Sequence, residues 1–255
     1  MIIGLDHIVV VVPGLEAAVA RYRALGFEVT PGGRHSTGTE NALIGFGDAG
    51  YIELLAFATP NPAHRWAPIL GFGGGFVDVC LSSDDIAADR AIYEAAGIAM
   101  QPEMAMSRTK PDGTEIAWKL SIPKPPFAGA MPFLIEDLTP VAARRPAPRA
   151  HANGVTGIAR VTYAEADVAE AAIRWRTILG TAGTPVADPA VGGEGLRFAL
   201  PGLQLDLLGP SVAGGPIAQS LADHGASPFS VGLAGAAATL PRWPVAETIN
   251  VRFDA

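Results

Sequence analysis

Four polar residues interrupt apolar, strand-like runs: His7 in LDHIVVVV, Glu53 in GYIELLAF, Asp78 in FVDVC and Glu136 in PFLIED. Side chains alternate faces along an extended chain, so His7 falls in one row with Leu5, Val9 and Val11. The same parity sets Glu53 between Tyr51 and Leu55, Asp78 between Phe76 and Cys80, and Glu136 two positions after Leu134. An ionisable group in an apolar row is costly unless it is paired, hydrogen-bonded or bound to a cation. Converging from two repeats, an imidazole and carboxylates make a metal cage. Taken singly, such a His is most often a core residue with one hydrogen bond, and such a Glu a rim salt bridge.

What singles them out is recurrence. The unit LDHIVVVV followed by GLEAAVARYRALGF reads as an alternating strand and then an amphipathic helix closed by Gly26. A shift of 71 positions lays Leu5 on Phe76, His7 on Asp78, Leu15 on Ile86, Tyr22 on Tyr93 and Gly26 on Gly97. A shift of 153 lays His7 on Arg160, Leu15 on Val168, Tyr22 on Trp175 and Glu53 on Asp206. After each helix come short β-rich runs, NALIGFG and GYIELLAF, then TEIAWKLSI and PFLIED, then GLRFAL and LQLDLLG. The expected organisation is therefore α+β, with repeated βαβββ modules forming curved mixed sheets. Paired modules span 1–70 and 71–137, a Pro- and Arg-containing linker spans 138–153, and a third module with a degenerate fourth spans 154–255. His7 and Glu53 lie 46 positions apart, Asp78 and Glu136 lie 58 apart, so the second carboxylate needs about a dozen inserted residues to reach the matching place. In the third copy the pair is Arg160 and Asp206, which cannot chelate a cation together because a guanidinium has no lone pair to offer.

Two Gly-punctuated segments add candidates. PGGRHSTGTENAL reads as a loop before a strand, with Arg34 as an anion or carbonyl clamp, His35 as acid, base or another metal ligand, and Asn41 as a substrate contact. SRTKPDGTEIAWKL offers Arg108 for a carboxylate and Trp118 for stacking on a planar substrate, with Lys110 in a charged turn. The AHRWAP stretch, with His64, Arg65 and Trp66, is a further wall candidate. Cys80 has no base evidently beside it and reads as a buried inert thiol.

Composition narrows the classes. Of 255 residues 49% are hydrophobic and 17% charged, which excludes charge-driven disorder. The formal net charge of −7 opposes the counterion-release chemistry behind nucleic-acid affinity. One cysteine forms no internal disulfide, and the apolar start carries Asp6 and His7 without a basic region, so a cytoplasmic chain with no membrane span is expected. A small-molecule partner is expected, and a homodimer is left open.

Residues 1 to about 137, through LDHIVVVVPGLEAAVARYRALGFEV, GGRHSTGTENALIGFG and GYIELLAF, resemble the vicinal oxygen chelate superfamily and within it the glyoxalase-like domain family. The resemblance implies paired modules forming a cup-like sheet, with a metal held by the first and last strands of each module. Carried over, His7, Glu53 and Asp78 match metal-ligand positions, and Glu136 a ligand or catalytic base; superfamily enzymes commonly have a second His where this chain has Asp78. The implied cofactor is a divalent ion, Mn²⁺, Mg²⁺, Zn²⁺ or Ni²⁺, or none; one His with three carboxylates would suit Mg²⁺ or Mn²⁺. The implied activity is a metal-dependent lyase, isomerase or hydrolase acting on a small carbonyl or carboxylate substrate. The alternative is a metal-free small-molecule binder of the bleomycin-resistance type.

Overall fold

In the computed structural model, residues 1–35, 38–109, 113–235 and 253–254 are described. The first module comprises β1 (Ile2–Val11), α1 (Leu15–Ala24), β2 (Thr30–Arg34), β3 (Thr39–Gly45) and β4 (Tyr51–Phe57). The second comprises β5 (Gly75–Ser83), α2 (Ile86–Ala95), β6 (Met104–Thr109), β7 (Glu115–Ser121) and β8 (Phe133–Asp137). They merge into one eight-stranded sheet of order β2-β3-β4-β1-β5-β8-β7-β6. β1 and β5 pair antiparallel at its centre, and each runs parallel to the last strand of its own module. Within PGGRHSTGTENAL the residues of β2 and β3 thus pair antiparallel, where the sequence alone reads as a loop before a strand.

A short helix α3 (Val141–Arg144) leads to the C-terminal half, which holds β9 (Gly157–Ala164), α4 (Val168–Leu179), β10 (Thr184–Asp188), β11 (Gly193–Leu200), β12 (Leu203–Pro210), α5 (Pro216–His224), β13 (Ser227–Ala234) and β14 (Phe253–Asp254). Its sheet has the order β10-β11-β12-β9-β13-β14, so β13 and β14 stand about β9 as β5 and β8 stand about β1.

The sequence repeat is a packing repeat. Tyr22, Tyr93 and Trp175, equivalent positions on α1, α2 and α4, are all fully buried in one apolar core that also takes Ile8 and Val10 from β1 and Val161 and Val231 from the second sheet. Asp85 caps α2 by accepting from the Ala88 N–H at 3.0 Å, and Asp167 caps α4 by accepting from the Glu170 N–H at 2.9 Å. Among the described residues no helix is long and apolar enough to cross a membrane.

One local expectation differs. A register irregularity between Leu5 and His7 turns Leu5 into the core, so the cup row is His7, Val9 and Val11 without it. The 138–153 segment, expected as a linker, folds back along the first sheet. Arg144 and His151 are buried, and the Asn153 side chain donates to the Leu25 carbonyl at the end of α1 at 2.9 Å. Gly26, at φ +85°, permits this approach, since a Cβ there would lie 2.9 Å from the Asn153 backbone nitrogen.

Candidate functional site

The concave face of the eight-stranded sheet encloses a cavity of about 230 Å³. One wall is apolar, with Leu55, Met104, Met106, Trp118, Leu120, Phe133 and Ile135; the other gathers His7, His35, Asn41, Glu53 and Arg65. His7, Glu53, Asn41 and His35 come from β1, β4, β3 and the β2–β3 turn, so strand pairing alone assembles them.

His7 is fixed from behind. Its Nδ1 lies 2.7 Å from Asp6 Oδ1, and its ring stacks on Tyr51 at 4.7 Å. Asp6 is fully buried and takes both Arg144 Nη atoms, at 2.9 and 2.6 Å, together with Arg145 Nε at 3.0 Å and the Ser82 hydroxyl at 3.3 Å. Burial pushes the Asp6 carboxyl up, but the hydrogen bonds from His7 and Arg144 and the Arg144 charge outweigh it and hold the group well below the usual carboxylate range. An ionised Asp6 only accepts, so His7 carries its proton on Nδ1 and turns the Nε2 lone pair toward the cavity. There Nε2 faces Glu53 Oε2 at 3.5 Å. Two acceptors so placed can receive a proton from a bound molecule.

Glu53 is fixed as well. Asn41 Oδ1 accepts from the Gly33 N–H at 2.8 Å, which orients the amide so that Nδ2 donates to Glu53 Oε1 at 2.5 Å and meets His35 Nε2 at 3.3 Å. His35 Nδ1 lies 2.7 Å from Thr39 Oγ1, and its Nε2 is 3.9 Å from Glu53 Oε1. Gly32 leaves the space for Asn41, because a Cβ there would lie 1.9 Å from Asn41 Oδ1.

The second module does not supply the matching half. β1 pairs His7 with Tyr51 and Val9 with Glu53, whereas β5 pairs Cys80 with Phe133. Since His7 corresponds to Asp78 and Val9 to Cys80, the counterpart of Glu53 is Phe133, whose ring sits edge-on to His7 at 5.6 Å. Glu136 belongs on the other face: Oε2 accepts from the Ile86 N–H at the start of α2 at 2.9 Å. This corrects its assignment as ligand or base; an even position on β8 points away from the cup. Asp78 does lie on the cup side, fully buried, but its Oδ2 is 2.7 Å from Arg65 Nη1 and accepts from Trp66 Nε1 at 3.1 Å. Burial raises the Asp78 pKa, and Arg65 opposes that rise.

Arg34 is corrected too. Its side chain is 80% exposed and pairs with Glu40 at 3.4 Å, so it is no clamp on the cavity. Trp118 lines the cavity. Arg108 occupies β6 opposite Ile116, its side chain outside the described residues, as is Lys110. In the second sheet Asp206 is held mainly by Arg197, at 2.7 Å through both Nε and Nη2, with Arg160 at 3.9 Å.

The four positions His7, Glu53, Asp78 and Glu136 therefore do not form one metal cage. Asp6, His7 and Cys80 do lie within ligand distance of one another. Asp6 is already occupied by two guanidinium groups, however, and burial pushes the Cys80 thiol well up, so that set does not fit a divalent cation either. Sequence reasoning missed Asp6, Arg144 and Phe133: a bulge brought in the first, a linker-like segment hid the second, and only strand register reveals the third.

The model of the family described as Glyoxalase-like domain matches residues 5–179. The chain belongs to that family. A hypothetical protein from Staphylococcus aureus is similar in structure at a TM-score of 0.67 and 17% identity, over 98% of both chains. A triple mutant of 4-hydroxymandelate synthase from Streptomyces coelicolor is similar at 0.61 and 16%, over 91% of this chain and 71% of the other. Methylmalonyl-CoA epimerase from Mycobacterium tuberculosis aligns at 0.44 and 22%, over 56% of this chain and 93% of its own. No curated protein matches the sequence significantly. The family match thus covers residues 5–179, and the structural likeness to the Staphylococcus aureus protein extends over both halves of the chain.

Proposed function

We propose that this glyoxalase-like protein is a small-molecule enzyme of the isomerase or lyase type, moving a proton at a carbon beside a carbonyl or carboxylate. The observation that carries the reading is the pair His7 Nε2 and Glu53 Oε2, 3.5 Å apart on a cavity, each fixed by a separate partner. In the step proposed, the pair takes a proton from the substrate carbon, and the C–H electron pair moves onto the adjacent carbonyl, giving an enolate. On the base that proton exchanges with solvent, and a proton then returns to that carbon or a neighbouring one, so no redox partner is consumed. Asp6 keeps the imidazole in the tautomer that accepts at Nε2, and Asn41 orients Glu53 beside it. His35, hydrogen-bonded to Thr39 and 3.3 Å from Asn41, acts as a positioning residue for the amide. The apolar wall excludes water and suits a compact, largely hydrocarbon substrate.

The test is solvent-hydrogen exchange followed by proton NMR in D₂O with a panel of 2-oxo acids, 3-oxo acids and aryl ketones. Exchange is expected with the wild type and is expected to fall by about a hundredfold or more in His7→Gln and Glu53→Gln. Members that bind without exchanging would refute the reading and leave the second one, a sequestering protein, which the mostly apolar lining favours.

A further inference from the structure

An enolate needs a positive partner, and the second half of the cup holds one. We propose that Arg65 is the group that binds the substrate's anionic oxygen, in the place where the family resemblance implies metal-ligand residues, and that the substrate is planar and apolar with a carboxylate next to the reacting carbon. This rests on the proton-transfer reading of His7 and Glu53.

Three observations converge. The counterpart of His7 in the second module is Asp78, and Arg65 Nη1 stands 2.7 Å from its Oδ2. The counterpart of Glu53 is Phe133, which offers no lone pair, and the Arg65 guanidinium carbon lies 5.1 Å from the centre of its ring and 4.4 Å from that of Trp66. Arg65 lines the cavity that His7 and Glu53 line. The second half of the cup is therefore built around a fixed organic cation. Asp78 serves as its buried counter-ion, and the two aromatic rings set the plane of the fork.

Among the described residues, the other guanidinium on the cavity is committed elsewhere. Arg144 gives its donors to Asp6, Asp137 and Tyr51. Asp78 meets Arg65 through one nitrogen, Nη1, of a group that carries five N–H donors. The remaining donors suit a carboxylate or enolate oxygen, and Trp66, Phe133 and Trp118 around them suit a flat apolar body.

The experiment uses the full chain and its tryptophan fluorescence, to which Trp66 and Trp118 on the cavity contribute, titrated with phenylacetate and with its neutral isostere phenylacetamide. It compares the wild type, Arg65→Lys and the double variant Arg65→Gln/Asp78→Asn, which removes the ion pair as a unit so that neither charge is left buried alone. The wild type is expected to bind the anion at least about tenfold more tightly than the amide. The preference should vanish in the double variant while phenylacetamide still binds to within about twofold, and Arg65→Lys should keep part of it. An equal affinity for the two probes, binding of neither, or a preference that survives the double variant would overturn the proposal. So would saturable Mn²⁺, Ni²⁺ or Zn²⁺ binding, read by thermal shift, that raises phenylacetate affinity and is lost in His7→Gln. If the proton-transfer reading alone is wrong, the Arg65-dependent preference persists with no solvent exchange; if this inference alone is wrong, exchange persists without the preference.

Discussion

Replacing Asp6 by Asn tests whether the buried network behind His7 positions it. In the native protein the carboxylate is fully buried and faces His7 Nδ1, two Arg144 donors and Arg145. Asn keeps the shape but removes the charge, and its amide must aim N–H groups at donors that already point inward. Arg144 retains Asp137 at 2.6 and 2.8 Å, so the loss should fall toward the lower end of the about 3–5 kcal/mol typical of breaking one side of a buried ion pair. At roughly 2–4 °C per kcal/mol for a chain of this size, a loss of about 3 kcal/mol means a fall in Tm of about 6–12 °C. The pH dependence gives an independent reading. The folded pKa of Asp6 lies well below its ordinary 3.8, so its contribution is fully present above that value and is lost as pH falls through it toward the folded pKa. Wild type and Asp6→Asn should therefore differ most near neutrality and converge in acid. Urea denaturation at a series of pH values, together with Arg144→Met and the double variant, measures the loss and the coupling. A loss under about 1 kcal/mol with no coupling between the two sites would refute the account of a charge-compensated network holding His7.

Two further outcomes follow from the same geometry. Gly32→Ala should drive Asn41 off the Gly33 N–H and Glu53, because the new Cβ would lie 1.9 Å from Asn41 Oδ1; a loss of about 1–3 kcal/mol by denaturation and a larger loss of ligand affinity by fluorescence are expected. Glu136→Ala should cost about 1 kcal/mol by removing the acceptor for the Ile86 N–H, while ligand binding in the cup stays unchanged; an effect on binding would show that Glu136 acts on the cavity after all.

Much of the fold was legible because the repeat is written in large apolar residues. Tyr22, Tyr93 and Trp175 recur at shifts of 71 and 153 and bury at equivalent places, which fixes helix on strand in every module. The approach of His7 to Glu53 was legible for the same reason, since alternation along two strands that pair in parallel brings both to one face. Glu136 was not legible, because parity counted within a strand says nothing of the face until the pairing partner is known; Cys80 opposite Phe133 sets that face, and the acid falls on the far side. Asp6 and Arg144 escaped for a different reason. Their ion pair joins residues 138 positions apart through a bulge and a segment of linker composition, and no local pattern encodes such a contact.

The repeated positions also explain why one half carries the candidate site. The same two places hold His7 and Glu53, then Asp78 and Phe133, then Arg160 and Asp206. Only the first pair leaves an imidazole lone pair and a carboxylate facing open space. In the second, Arg65 neutralises the acid; in the third, Arg197 does so with both ends of its fork. The concavity of the second sheet is filled as well. α5 occupies the connection between β12 and β13, the place that the short turn Ala67–Phe72 occupies between β4 and β5, and its Ile217 packs against Ala164, Leu208 and Phe229 with Leu221 alongside. A helix of 9 residues thus plugs one cup, whereas a 6-residue turn beside Arg65 and Trp66 leaves the other open. The same backbone plan serves as scaffold in one half and as a chamber in the other, and connection length together with the partner of each buried acid decides which.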